Sequence, residues 1–434
     1  KAMNLEEKLR EPKQAASKTL REGSLERQLE YLQKLEQRPK RVAAQRTPHG
    51  VEHYIDGEVC GNDRGQYFLA YQTLPFGRPY GKFRIGDVAH ADLAPLGLFL
   101  QGSDIPPSSS VVYLDTETTG LAGGTGTCAF LIGIGAADGS GFRVRQFFLR
   151  DFTEEKAALA ALAEALAPYE LLVTYNGKTF DIPLLETRYT LARMRSPFAR
   201  MVHLDLLHPA RRLWKLRLES CQLKNLEREL LGIARNGDVP GSEIPQIYFD
   251  YLRTGSAKGL QPVFFHNALD IVTLAGLTVE VGQAIATAGD SADCDSRDLF
   301  SLSRVLERAG ATELARSTCL QALARGLPES LEPQALWQLA ARHKRDRRYD
   351  EAVELWVKIT GLGSHFTVEA YEELAMYYEH RVRDPAKALE FSETAFECLQ
   401  QNSGSHSWLE RFSHRRERLM RKLGQSVPDS EIRL

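Results

Sequence analysis

The run Val111-Val112-Tyr113-Leu114-Asp115-Thr116-Glu117-Thr118-Thr119-Gly120 carries four apolar or aromatic residues straight into two acids. Side chains alternate along a strand, so Asp115 and Glu117 share a face. Two neighbouring carboxylates repel each other and are costly in a sheet. A divalent cation resolves that repulsion, and hard oxygen ligands suit Mg2+ or Mn2+. A second acid, Asp181, ends the segment LLVTYNGKTFD (171–181), which reads as a strand, a tight Asn176-Gly177 turn and the start of a helix. A carboxylate there is favoured by the helix dipole, and a plain N-cap is the structural alternative. The third segment is FFHNALD (264–270). If it is helical, His266 and Asp270 lie four apart on one face. The alternative for His266 is an ordinary buried-edge histidine.

These residues need a scaffold, and the pattern around them supplies one. Strands are expected at Val111–Leu114, Ala129–Ile134, Arg143–Leu149 and Leu171–Thr174, with helices at Glu154–Leu166 and Pro183–Met194. Strands first and helices interleaved later predict an α/β domain over 110–285, a mixed sheet flanked by helices. Residues 48–108 show short β-prone pieces (Val51–Ile55, Gln66–Gln72, Lys82–Ile85), a small β-rich region or an edge added to the next domain. Asp104–Ser110 reads as a linker. Residues 1–47 read as a polar helical extension with a narrow stripe at Leu25, Leu29, Leu32 and Leu35. After a small, polar boundary at 286–296 the chain is helical and weakly repetitive. Leu302/Ala315, Leu339/Ala352 and Leu374/Ala388 recur at 339 − 302 = 37 and 374 − 339 = 35 residues. That is close to the ~34 residues of a tetratricopeptide helix pair. Trp337, Tyr349 and Pro385 sit where its bulky and breaker residues could belong. Three helix pairs and a terminal helix around Trp408–Leu423 are expected, an all-α domain, with a generic helical bundle as the alternative.

Composition excludes several classes. The 434 residues are 43% hydrophobic and 26% charged, enough apolar material for two to four domains and far from a disordered chain. The clearest apolar run, Cys128–Ala137, is about half of the ~20 residues a membrane helix needs, so no membrane span is expected. Residues 1–40 are charged throughout and read as no secretory leader, with Lys1 and Ala2 a tag remnant before Met3. Six cysteines without a C-x-x-C pair argue against a disulfide framework or zinc ribbon, and a reducing cytoplasm is the simplest setting. Net charge is −2, yet residues 1–50 carry +5 (12 − 7) and residues 187–217 carry +7 (8 − 1). The second stretch is either a polyanion groove or a solvated face. Gly-rich 120–126 lacks the Gly-Lys-Ser/Thr ending of a phosphate loop.

In order and context, Asp115, Glu117, Asp181 and Asp270 resemble the motifs of the DEDD superfamily of 3′→5′ exonucleases, with separations of 64 and 89 residues between Glu117, Asp181 and Asp270. That superfamily has the ribonuclease H-like fold. GLAGGTGTCAFLIGIG (120–135), NGKTFD (176–181), HLDLLHPARRLW (203–214) and SCQLKNLERELLGIARNGDVPG (220–241) are similar to the YprB family, also called mitomycin repair factor B. Its members join such a nuclease domain to tetratricopeptide-like helices. The resemblance reaches from about residue 49 to 420, and with the patterns above the chain is expected to divide into a helical extension (1–47), a small β-rich region packed on the nuclease (48–108), the nuclease domain (109–285), the helical domain (296–424) and a tail (425–434). It implies a two-metal 3′→5′ exonuclease acting on a DNA single strand or 3′ end, in repair of cross-links or damage. A helicase is the implied protein partner and the bacterial cytoplasm or nucleoid the implied setting. Two ions, Mg2+ or Mn2+, would be held by Asp115, Glu117, Asp181 and Asp270, with Asp115 between them.

The last motif departs from the family pattern. Histidine-type members place the histidine five residues before the last acid, and tyrosine-type members place a tyrosine four before. Here the histidine takes the tyrosine spacing, 270 − 266 = 4, and Phe265, which cannot take a proton, stands five before. His266 is the candidate base. Thr118, Gly120, Asn176, Lys178, Phe180, Arg188, Lys224 and Asn267 are candidate nucleic-acid contacts. Asp205 reads as a structural or supporting acid near Arg211 or Arg212, and Asp238 as turn chemistry. Arg411, Arg415, Arg416, Arg418, Arg421 and Lys422 make the terminal helix basic, which leaves a duplex or a protein as its partner. RNA stays open as substrate, since no residue marks a 2′-hydroxyl sensor, as does a non-catalytic scaffold built on the repeats.

Overall fold

The computed structural model describes residues 50–100, 105–120, 126–235, 237–287, 294–401 and 405–426. The expected extension at 1–47, most of the glycine stretch (121–125) and the end of the tail (427–434) lie outside the described residues. The chain divides into two compact units. The first holds the described residues up to Arg211 together with Leu218–Ala286, and the second holds Arg212–Arg217 and the chain from Thr287.

The first unit is built on a seven-stranded mixed sheet. Its strands are β1 (Gly57–Asn62), β2 (Gly65–Leu74), β5 (Val111–Thr118), β6 (Ala129–Asp138), β7 (Gly141–Phe148), β8 (Leu171–Thr174) and β9 (Val202–Asp205), in the order β1-β2-β7-β6-β5-β8-β9. A separate two-residue hairpin pairs β3 (Pro79–Tyr80) with β4 (Phe83–Arg84). The long meander β5-β6-β7 is antiparallel, whereas β5-β8 and β8-β9 are parallel. Parallel strands are covered on both faces, and Val111 to Leu114 are accordingly all buried. Each such side chain stabilises the sheet by roughly 1.5–3 kcal/mol.

The helices of this unit are α1 (Ile85–His90), α2 (Glu155–Leu166), α3 (Asp181–Leu191), α4 (Leu207–Trp214), α5 (Leu223–Leu226), α6 (Ile244–Thr254) and α7 (Gln261–Ala286). Helix α4 straddles the division between the units. Leu159, Leu162 and Leu166 of α2 and Leu185 and Tyr189 of α3 close one face of the sheet over Val112, Leu114 and Ile132. Helix α7 covers the other face. It comes close because Gly133 and Gly135 of β6 carry no side chain: a Cβ at Gly133 would stand 2.1 Å from Asn267 Oδ1, and one at Gly135 2.3 Å from Ile271 Cγ2. Helix α7 is long and apolar enough to cross a membrane, but most of it is buried inside the fold as a core helix. The apolar run at 128–137 is strand β6.

One local expectation is corrected: Val51–Ile55 is no strand, and Val51–His53 form a single 3-10 turn whose buried Val51 joins an aromatic core with Phe68 and Phe148. Of the two readings of residues 48–108, the added edge describes β1 and β2 and the separately packed region does not, since β2 pairs with β7 from Phe68↔Phe148 to Leu74↔Phe142. Strand β9 leaves little signal in the sequence, because Val202-His203-Leu204-Asp205 is only four residues long.

The second unit is helical: α8 (Ser296–Arg308), α9 (Thr312–Ala324), α10 (Glu332–Arg345), α11 (Tyr349–Thr360), α12 (Thr367–Tyr377), α13 (Pro385–Gln401) and α14 (His406–Lys422). Leu302, Leu339 and Leu374 of the first helices and Ala315, Ala352 and Ala388 of the second are all buried. The small alanine lets each pair of helices close. The basic residues of α14 are largely consumed inside the unit. Arg415, Arg418 and Lys422 lie 3.1, 2.7 and 2.9 Å from the buried Glu379, Arg411 pairs with Glu372, and Arg416 lies over the Phe396 ring. Four of the six cations of this helix thus meet acids of other elements, which leaves fewer of them open to a duplex.

Candidate active site

Strand β5 runs into the site and frays there. Its register with β6 shifts between Glu117 and Thr118, just past Asp115↔Gly133 and Glu117↔Leu131. Asp115 and Glu117 therefore face α7 at the strand's C-terminal end. Thr116 faces the other way, and its hydroxyl donates to Asp181 Oδ1 at 2.5 Å. Asp181 opens α3, as its position after the Asn176-Gly177 turn predicted. The turn is shaped by Asn176 at φ 61° and by Asp205 at the end of β9. Asp205 is 2% exposed and accepts from the backbone N–H groups of Asn176 (2.7 Å), Lys178 (3.0 Å) and Leu207 (3.1 Å). It is a structural staple, bonded to backbone rather than paired with Arg211 or Arg212.

Helix α7 supplies the other wall. Its 3.6-residue period turns His266, Asn267 and Asp270 inward and leaves Phe265 58% exposed. The residue at the usual histidine spacing thus faces solvent, and the four-residue spacing faces the acids. His266 Nε2 is 3.5 Å from Asp270 Oδ2 and 3.9 Å from Glu117 Oε1. Asn267 donates to Asp115 Oδ2 at 2.8 Å and accepts from Gln146 Nε2 at 2.9 Å, so it orients an acid rather than facing a strand of nucleic acid.

The four acids meet from three distant segments. Burial raises the Asp115 carboxyl well above its usual range, and Asp270, Glu117 and Asp181 add to the rise. Glu117 is raised well above its range by burial and then by Asp270 and Asp181. Asp181 is pushed up to about 6 by burial, against the bond from Thr116. A clustered set of hard oxygen donors whose charges oppose one another is the chemistry that Mg2+ or Mn2+ satisfies, so the residues fit such ions in kind. Among the described residues, no three Asp, Glu, His or Cys groups converge at coordination distance as they stand. Asp115, Asp181 and Asp270 are each turned toward a protein partner: Asn267, Thr116 and Arg235.

Arg235 and Glu227 join this site without a sequence signal, and Asp238 with only that of a turn. Arg235 places Nη2 2.5 Å from Asp270 Oδ1, Nε 2.6 Å from Glu227 Oε2 and Nη1 3.5 Å from Asp238 Oδ2. Glu227 lies in a π-helical turn after α5 and also accepts from Tyr80 and Thr273, both at 2.8 Å. Asp238 is not merely turn chemistry: Oδ1 lies 2.7 Å from His266 Nδ1, and Oδ2 lies 2.7 Å from Lys224 Nζ. Arg235 Nη1, Asp238 Oδ2 and Asp270 Oδ1 are buried, and the partners they face are the opposite charges of these ion pairs.

The remaining candidates divide. Phe180, 52% exposed, and the exposed Lys178 stand just before Asp181. Thr118 donates to the Gly120 carbonyl at 2.9 Å. Arg188 is bound to Glu155 at 2.5 and 2.7 Å, which removes it as a ready phosphate contact. The basic segment 187–217 is thinned further by Arg200, bonded to the Leu166 and Ala167 carbonyls, and by Arg217, bonded to Asp298.

Residues 112–281 match a protein family described as the RNase_H superfamily (RNase_H_2). The "Uncharacterized protein YprB" of Bacillus subtilis (strain 168) is 33% identical over 289 residues, which is 66% of this chain and 68% of that protein. The chain belongs to the YprB family. Its first unit is an RNase H-like domain of the nuclease type, and the acids above lie at or within the matched span. Among solved structures, the family B DNA polymerase from the hyperthermophilic archaeon Pyrobaculum calidifontis aligns over 56% of this chain and 30% of its own, at 12% identity and a TM-score of 0.34. That likeness is too slight to bear on the site.

Proposed function

We propose that this YprB-family chain is a metal-dependent 3′→5′ exonuclease acting on DNA. One observation carries the reading: four acids from three separated segments lie close enough to act on one another's charge, and a buried histidine points its Nε2 between two of them, Glu117 and Asp270. Asp115, Glu117, Asp181 and Asp270 would hold two divalent ions, Mg2+ or Mn2+, which when bound stabilise charge on the phosphoryl group and acidify water. His266 Nε2 takes the proton of the attacking water. The water oxygen bonds to phosphorus, the bond from phosphorus to the neighbouring 3′-oxygen breaks, and that oxygen takes a proton from solvent. Phe180 and Lys178 offer a ring for base stacking and a cation for a phosphate beside Asp181. DNA as substrate, a role in repair and a helicase partner follow from the family resemblance, and the helical unit is proposed to hold the protein partner.

The test is purified chain with matched end-labelled single-stranded and duplex DNA and RNA, in Mg2+, Mn2+ or chelator, beside an Asp181→Ala control. Laddering from the 3′ end of DNA, dependent on metal and absent in the control, supports the reading. Laddering of RNA alone moves the substrate to RNA. Binding without cleavage of any substrate refutes the enzyme and favours a scaffold.

A further inference from the structure

We propose that Asp238 is a positioning residue for His266: it takes the Nδ1 proton across the 2.7 Å contact, so that the Nε2 lone pair faces Glu117 and Asp270. The inference rests on the reading of His266 as the base and names the group that makes it one. The Asp238 side chain is nearly buried, and two cations hold it from behind, Lys224 at 2.7 Å and Arg235 at 3.5 Å, both on Oδ2. Oδ1 is left for the imidazole. Bonds to Lys224 and His266 outweigh the burial that opposes ionisation, and the Asp238 carboxyl lies below its usual range. An ionised carboxylate only accepts, so the hydrogen in the contact belongs to Nδ1. In the neutral ring the lone pair then lies on Nε2, the nitrogen that faces Glu117 and Asp270, which is the tautomer a general base there needs.

Arg235 extends the device. The guanidinium that touches Asp238 through Nη1 bonds Asp270 through Nη2 and the buried Glu227 through Nε. The acid behind the histidine and the acid in front of it are thus tied to one plane. Glu227 is itself fixed by Tyr80 and Thr273. When Nε2 takes the proton of the attacking water, the resulting imidazolium is flanked by Asp238 at Nδ1 and by Asp270 and Glu117 at Nε2. It returns the proton to solvent as the product leaves. The same logic, a carboxylate fixing tautomer and ring orientation of a working histidine, recurs on unrelated folds.

The test uses the full chain labelled with 15N-histidine. Long-range proton–nitrogen correlation spectra recorded over a pH series distinguish the two neutral tautomers from the imidazolium and report which ring nitrogen carries the hydrogen, and His266→Gln assigns the signal among the 11 histidines. Wild-type His266 is expected in the Nδ1–H form. Asp238→Asn is expected to move it to the Nε2–H form or a mixture, and Asp238→Glu to keep Nδ1–H. On end-labelled single-stranded DNA with Mg2+, Asp238→Asn should lower kcat about 100- to 10,000-fold with KM little changed, and Asp238→Glu should recover much of the loss. An Nε2–H wild type overturns the proposal. So does an Asp238→Asn variant with unchanged tautomer, or with a raised KM at unchanged kcat. If Asp238→Asn does not fold, the wild-type spectrum and Asp238→Glu decide. If the wild type cleaves no nucleic acid, the nuclease reading falls by itself, and the spectra still decide whether Asp238 holds the ring.

Discussion

Gly133→Ala tests the packing that brings α7 to the acids. A methyl at this position would stand 2.1 Å from Asn267 Oδ1, 2.4 Å from Ile271 Cδ1 and 2.9 Å from Asn267 Cγ. Carbon and oxygen approach no closer than about 3.3 Å even in favourable contacts, so a gap of more than ~1 Å must open. Strand β6 is interior to the sheet and cannot yield, and Ile271 is fully buried. Asn267 must therefore swing away from both Asp115 and Gln146, breaking bonds of 2.8 and 2.9 Å. Overpacking costs about 1–3 kcal/mol. Leaving a buried amide unpaired adds about 1–3 kcal/mol. The sum is about 2–6 kcal/mol of stability, to be read from urea unfolding followed by circular dichroism. Gly139→Ala is the control, since a Cβ there meets nothing within 4 Å and should cost under about 0.5 kcal/mol. Equal midpoints for the two variants would refute the argument that the absent side chain at Gly133 admits α7.

Other consequences can be checked separately. Asp205→Ala removes an acceptor from three backbone donors. It should cost roughly 3 kcal/mol and accelerate amide hydrogen exchange at Asn176 and Lys178, and unchanged exchange there would count against the staple. Burial and then Lys178 lower the His203 pKa to about 4. A histidine depressed in the folded state contributes stability that is complete above its unfolded value of about 6.5 and is lost as pH falls through 4. The gap of 6.5 − 4 = 2.5 units sets a ceiling of about 3 kcal/mol. The stability advantage of wild type over His203→Gln should shrink by up to that amount between pH 7 and 4, and a constant difference would show that the ring is not held neutral. In the second unit, Glu379→Gln leaves Arg415, Arg418 and Lys422 without their shared anion. A loss of about 3 kcal/mol and early proteolytic cleavage within α14 are expected, whereas a protease-resistant α14 would mean that its packing alone holds it.

Much of the scaffold is legible in the chain because its strands and helices are strongly patterned. Val111–Leu114 and Leu171–Thr174 are apolar runs bounded by turns, and the Leu/Ala pairs of the helical unit recur at nearly even spacing. The weak signals are short or mixed. Val202–Asp205 alternates polarity over four residues, and Val51–His53 is β-prone in composition yet forms one helical turn. Neither has enough local preference to override where the neighbouring core places it.

The order of Asp115, Glu117, Asp181, His266 and Asp270, and the four-residue step that puts the last two on one helix face, follow from the sequence alone. They depend only on alternation along a strand and the period of a helix. The partners of those residues come from the tertiary fold. Asp238, Arg235, Glu227 and Tyr80 lie 28 to 186 residues from His266 along the chain, in a turn, a π-helical segment and a two-residue hairpin with no periodicity to read. Whether a lysine or arginine is free for a phosphate was likewise settled in three dimensions. Arg188, Arg217 and most of the cations on α14 meet acids from other elements, and an ion pair between distant segments leaves no mark on either segment alone.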